Sequence, residues 1–240
     1  MPQTFLYKKD YRINDDISVR IPLLRDVLDQ EEKYYQNIAT VIATPYDMMV
    51  QLDDSGVDFT TINDWDLFCM LFNDFKNGDL SLIFGDLDLS KFRHTADLKS
   101  GTIVLRDPAT GITIDRAIHG QICAFLRKLL RIEKKEMYPA NEEAKSYMIK
   151  RARQKQQRNK SRGKGRVSQL ENYIVSLVNT SEFPYDYESV LDITIYQFYA
   201  SVQQVTNKIR FDKLMIGCYA GTVNTKEINP KELNWISNEI

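Results

Sequence analysis

Two histidines, three cysteines, one acidic loop and one dense basic run are the features of this 240-residue chain with residue types suited to chemistry. His94 and His119 are far apart, and neither has a second His or Cys at the spacing a zinc site needs. Ser90 and Ser100 flank His94, but the nucleophile-elbow pattern G-x-S-x-G does not occur. Asp115 precedes His119 by one helical turn, and both histidines read as surface or capping residues. Cys69, Cys123 and Cys218 are widely separated and form no CxxC. Each reads as a small buried hydrophobe in a reducing compartment. Asp86-Leu87-Asp88-Leu89-Ser90 with Asp97 mimics a calcium loop. Lys91, however, occupies the place where that loop needs glycine, and the closing Glu is missing. With no paired carboxylates and no nucleophile beside a base, no catalytic residue, metal ligand, cofactor or small-molecule substrate is expected. The chain reads as a non-enzyme.

The basic run is the most unusual feature. Residues 150–166 hold nine Lys or Arg among seventeen residues and no acid: Lys150, Arg151, Arg153, Lys155, Arg158, Lys160, Arg162, Lys164 and Arg166. Such density repels itself, so ordering it needs anionic neighbours. These are nucleic-acid phosphates, an acidic partner surface, or the acidic 1–100 region of the same chain. Without aromatic residues the run lacks the stacking platform of a single-strand binder. Without an apolar face it is no membrane anchor. Gly163-Lys164-Gly165 follows no strand and completes no phosphate-loop pattern, so it reads as flexible linker. The expected contacts for an anionic partner are Arg151, Arg153, Lys155, Arg158, Lys160, Arg162, Lys164 and Arg166.

Charge is partitioned although the formal net is −1. Residues 1–100 carry 10 basic against 18 acidic side chains, residues 121–170 carry 15 against 4, and residues 171–240 carry 5 against 9. An acidic body flanking a basic middle points to a partner, or to a segment kept solvated by its own repulsion. Aromatics at 11% supply a sizeable core, which excludes disorder throughout. With no eighteen-residue apolar run and no signal peptide, a cytoplasmic location is expected.

The elements that carry these residues follow from periodicity. Residues 13–21 alternate and read as a strand or extended entry that could join the small sheet. Helices are expected around 23–28 and 34–42, after Thr44-Pro45-Tyr46-Asp47, and after a cap at Asn63 or Asp64. Leu80, Leu82 and Phe84 alternate as in a strand, and the β-prone runs at 102–106 and 112–116 flank a Pro/Gly turn. From Ile118 a helical period runs to Pro139. Another starts at Glu142 and loses its core-facing stripe after Ala152, where packing no longer holds it. Ser168 caps a further helix. Leu191, Ile195, Phe198, Val202, Val205 and Ile209 then recur in a heptad-like seam. The aromatic series from Tyr185 to Tyr219 reads as core packing of this region, with an interface, where Tyr is enriched, as the alternative. The fold class predicted is α+β, predominantly helical, with a small antiparallel sheet or hairpin in the N-terminal half and a helical C-terminal unit. The division is a mixed α+β domain over 1–140, a basic helix extension and flexible linker over 141–168, and a helical unit over 169–240.

The C-terminal block resembles a known group. Tyr185-Asp186-Tyr187-Glu188-Ser189-Val190-Leu191-Asp192-Ile193-Thr194-Ile195-Tyr196-Gln197-Phe198, then Tyr219-Ala220-Gly221-Thr222-Val223 and Lys231-Glu232-Leu233-Asn234-Trp235, look like proteins from the tail-morphogenesis modules of tailed phages of Gram-positive bacteria. Ile21-Pro22 and the segment Thr44 to Asp54 are similar to the same group. The resemblance implies a tail assembly chaperone or a minor structural component in virion morphogenesis, located in host cytoplasm or in the virion. It transfers no functional residue. The expected partners are phage structural or tail proteins, with self-association and nucleic acid as alternatives. Contact is expected through the Leu191–Ile209 seam and the basic arm.

Overall fold

A computed structural model describes residues 4–97, 101–161, 168–224, 228–229 and 234–236. Its architecture is α+β and predominantly helical, with a two-stranded and a three-stranded antiparallel sheet. Packing groups the chain into two units, neither of them contiguous. A central unit takes 8–21 and the described part of 30–167. A C-terminal unit takes 4–7, 22–29 and the described residues from 168 onward. The return of 22–29 to the last helices is a long-range feature that linear composition does not register. Of the basic helix extension and flexible linker expected over 141–168, residues 162–167 lie outside the described residues.

In the central unit, β1 (Asp10–Arg12) pairs antiparallel with β2 (Ser18–Arg20), Tyr11 facing Val19. Asn14 closes the turn, its Oδ1 accepting from the Asp16 and Ile17 N–H groups at 3.0 and 2.7 Å. Residues 13–21 therefore do not join the main sheet, and only 18–20 are strand. The second sheet runs β3 (Arg93–Ala96), β4 (Ile103–Arg106), β5 (Thr113–Ile114), with Leu105 opposite both His94 and Ile114. The expected hairpin is β4–β5. Asp107 holds its turn by accepting from Ala109 N–H at 2.9 Å and the Thr110 hydroxyl at 2.7 Å. Gly111 takes φ 77°, which a side chain would resist.

Six α-helices complete the described part of this unit. They are α2 (Glu31–Val41), α3 (Met49–Asp54), α4 (Asp64–Phe75), α5 (Ser81–Phe84), α6 (Arg116–Leu130) and α7 (Glu142–Ser161); α1 belongs to the other unit. Asn63 caps α4 in a reciprocal box with Asp66, and Trp65, Leu67, Phe68, Phe72 and Phe75 are buried along it. α5 replaces the strand expected at 80–84. Asp79 accepts from both the N–H and O–H of Ser81, which starts a helical turn, and Gly85 at φ 61° ends it. Asp115 caps α6 at the Ile118 N–H, 2.8 Å. α6 stops at Leu130, well before Pro139, because its buried face ends there and Arg131 turns left-handed at φ 55°, ψ 42°.

Helix α7 continues past Ala152 to Ser161, against the expectation that it would lose its hold. Met148, Ile149 and Ala152 pack on a satellite core of Met49, Val50, Leu52 and Phe59. Beyond them Arg153 bridges to Asp53 and Asp54 at the end of α3, 3.0 and 2.5 Å. Basic residues in the last turns also suit the negative end of a helix.

The C-terminal unit holds α1 (Leu24–Asp29), α8 (Gln169–Val178), a 3-10 turn (Ser189–Asp192) and α9 (Ile195–Tyr219). Leu23 bridges Thr194, while Leu24 N–H donates to Ile193 O at 2.8 Å and Ile195 N–H to Pro22 O at 2.9 Å. Ser168 caps α8 at the Glu171 N–H, as expected. Leu24, Val27, Leu170, Ile174, Leu177, Val190, Ile195 and Phe198 form the core.

Candidate functional site

The apolar seam does not lie on one helix. Leu191 sits in the 3-10 turn, and Thr194 then caps α9 in a reciprocal box with Gln197 (3.2 and 2.7 Å). Ile195, Phe198 and Val205 are buried inside the C-terminal unit, while Leu191, Val202 and Ile209 are half-buried. Three of the six expected partner residues are thus consumed by the unit's own core. Among the described residues none from Thr206 to Tyr219 is buried, and Ile216 and Tyr219 are 66% and 84% exposed. The chain folds back over the end of this half-helix. Thr222 N–H donates to Gly217 O at 3.0 Å, and a Cβ on Gly217 would stand 2.7 Å from Val223 Cγ2, so any side chain there would force Val223 to shift.

The expected anionic-contact residues separate in a similar way. Arg153 is occupied by Asp53 and Asp54, so part of the counter-charge comes from the chain's own acidic region. Lys145, one turn into α7, bonds Asp58 and Glu142, both at 2.8 Å. That Lys145 bond, aided by the Thr60 N–H and O–H, pulls the Asp58 carboxyl down to about 2. Arg151, Lys155 and Arg158 are exposed. Lys160, Arg162, Lys164 and Arg166 lie outside the described side chains.

A third site was not expected. A cleft of about 470 Å³ opens in the central unit between residues 44–46, the segment 59–65 leading into α4, one face of α6, and the irregular segment after α6. Its volume is in the range of small-molecule sites, roughly 300–1,000 Å³. Its buried members include Phe59, Trp65, His119 and Cys123; Arg116, Met137 and Tyr138 are exposed at its mouth. Lys134 pins the irregular segment to Asp64 at 2.8 Å and also pairs with Glu136. Burial works against the Lys134 charge, but these two carboxylates outweigh it and raise its pKa.

His119 is therefore no surface residue: it is 3% exposed, and Asp115 spends its side chain on the helix end instead. Its Nε2–H donates to Val41 O at 3.0 Å, and the Cys123 thiol donates to the same carbonyl at 3.2 Å. Sγ and Nε2 are 3.3 Å apart, close enough for a cysteine–histidine pair. The electrostatics oppose one. Burial drives His119 down to about 4 and Cys123 up to about 12, so at neutral pH both are uncharged and both protons face a backbone oxygen. Cys69 and Cys218 are half-buried, less enclosed than the sequence predicts. His94, exposed, places Nε2 3.1 Å from Cys69 O. Among the described residues no group of three His, Cys, Asp or Glu is arranged to hold a metal, and no helix is long and apolar enough to cross a membrane.

Residues 154–239, from the basic end of α7 through α9, match the family described as YomV second domain, a phage-associated family. No curated protein and no solved structure matches the chain.

Proposed function

We propose that the protein is a non-enzymatic assembly protein of a phage or prophage, a tail assembly chaperone-like or minor virion component, acting through helix-mediated contacts with phage structural or tail proteins. The carrying observation is the second half of α9. It lies inside the segment that matches a phage-associated domain, and it presents Ile216 and Tyr219 to solvent on a helix whose first half is anchored in a core. An amphipathic helix of this kind docks into an apolar groove by residues one turn apart. The acidic and basic regions of the chain would steer the encounter and let salt or a competing surface release it. Host cytoplasm, or the virion, is the location that goes with this role.

The test is affinity capture from phage-producing cells. Wild-type protein is expected to retain tail or other structural proteins, and Ile216→Asp to lose them while keeping its thermal transition. Capture of no phage structural protein, or capture indifferent to Ile216→Asp, would refute the reading.

A nucleic-acid-binding accessory role is the second reading. It is favoured by the stretch of α7 from Lys150 to Ser161, which has no acid and exposes Arg151 and Lys155. It predicts binding to generic DNA or RNA that falls steeply with salt and weakens on joint Arg151→Gln and Lys155→Gln substitution. Absence of binding at low salt would eliminate it.

A further inference from the structure

The cleft of the central unit has an unbalanced charge. Arg116, Arg127 and Lys134 line it against Asp64 and Glu136. Both acids are drawn to Lys134, or stand beside it, while Arg127 spends an Nη2–H on Ile42 O at 2.5 Å. The guanidinium of Arg116, at the first position of α6, makes no hydrogen bond or ion pair with any described residue. One positive charge is left over, and it is carried by an uncommitted guanidinium at the mouth. The walls are of the opposite character. Tyr46, Phe59 and Trp65 present apolar faces, and the one polar atom of the Trp65 ring is already satisfied, Nε1–H donating to Ile103 O at 3.2 Å.

These halves match a ligand with two halves. We propose that the cleft binds a small oxyanion with an aromatic or aliphatic body, a carboxylate or a phosphate monoester, whose acidic end sits on Arg116 and whose body lies against Trp65, Phe59 and Tyr46. A guanidinium offers two parallel N–H donors to such an oxyanion, and the aromatic walls bury its apolar surface. The end of α6 is not itself the recognition element, because Asp115 already occupies the Ile118 N–H. His119 and Cys123, both committed to Val41 O, close the cleft without competing for the ligand. The segment that carries Lys134, Glu136, Met137 and Tyr138 contains no helix or strand, so the ion pair to Asp64 is what holds this wall in place. This departs from the sequence expectation of no small-molecule ligand.

Trp65 is a built-in reporter. In a Trp235→Phe background, where Trp65 is the remaining tryptophan, its fluorescence would be titrated with phenylacetate, phenyl phosphate and the neutral phenylacetamide. At least one anion is expected to give a saturable change with a Kd of roughly millimolar order. The tighter anion identifies the acidic group. Phenylacetamide is expected to bind at least tenfold more weakly. Arg116→Gln is expected to weaken the anion at least tenfold with an unchanged melting curve, whereas Lys9→Gln, the same change of net charge at an exposed residue that does not line the cleft, leaves it unaltered. Failure of both anions to saturate would overturn the proposal. So would equal binding of the amide, or indifference to Arg116→Gln.

Discussion

Acidification should destabilise the central unit through one buried side chain. His119 is enclosed, stacked on Phe68 at 4.4 Å between ring centres and 5.4 Å from Trp65. Burial pulls its pKa from 6.5 to about 4. The Val41 hydrogen bond and Asp64 resist this, and Arg127 adds to it. Below pH 6.5 the unfolded chain takes up a proton that the folded one refuses. Stability is therefore complete above 6.5, falls as pH falls toward about 4, and loses nothing more from this group below that. Each unit of separation is worth about 1.4 kcal/mol, so the full window removes roughly 3 kcal/mol, a large share of a typical domain's 5–15 kcal/mol. For a unit of this size that corresponds to a fall in Tm of about 10 °C.

The assay is urea or thermal unfolding at half-unit steps from pH 7 to 4.5, followed by Trp65 fluorescence in the Trp235→Phe background. His119→Phe is the control, since it keeps the stacking on Phe68, loses the titration, and leaves Val41 O with the Cys123 thiol. The variant should be less stable at pH 7 yet nearly flat across the window. Asp58, Asp79 and Asp107 are also held below their ordinary value of 3.8. Their contribution is present above 3.8 and is lost only at lower pH, so they do not obscure the test. A wild-type stability independent of pH between 6.5 and 4.5, or an equal slope in His119→Phe, would refute the reasoning.

Phe198→Ala should cost the C-terminal unit about 3–5 kcal/mol in denaturant unfolding, because the ring is fully buried; a loss under 1 kcal/mol would contradict the core assignment. Ile216→Ala, on the exposed half of the same helix, should move the midpoint by no more than about 0.5 kcal/mol. Asn63→Ala removes a reciprocal cap and should destabilise the central unit by about 1 kcal/mol, with Asn63→Asp retaining most of it. Arg153→Ala should cost less than about 1 kcal/mol at low salt and close to nothing at 1 M, since its pairs with Asp53 and Asp54 are solvent-exposed.

Caps and strong apolar periods were legible in the chain because both are local. Asn63, Ser168 and the turn at 107–111 act within four residues of themselves, and the stripes of α4 and α8 repeat one residue type at one spacing. Where the reading failed, a local detail outranked a pattern. Asp79 turned an alternating run into α5, and the left-handed Arg131 ended α6 although the sequence beyond it could be counted on as helical. Helix α7 continues past its apolar stripe, and there Asp53 and Asp54, a hundred residues earlier, meet Arg153. No window on the sequence contains both partners.

The cleft and the α9 seam show the same limit from two sides. The cleft draws on residues near 45, 60, 120 and 135, each group unremarkable in its own neighbourhood, and only the fold places Arg116 and Trp65 on one cavity. His119 carried the one available signal, an apolar helical stripe on both sides of it. A histidine inside such a stripe is enclosed by the helix's own neighbours, and its charge state then follows from burial. The seam is the converse case. A heptad spacing states that one face is apolar and is silent on what covers that face: Ile195, Phe198 and Val205 satisfy the pattern inside the unit, while Ile216, two turns past Ile209 on the same period, satisfies it in open solvent. Residues that share a period therefore divide into those that hold the fold and those left exposed. Burial, which depends on chain segments such as 22–29 returning from far away, draws the line between them.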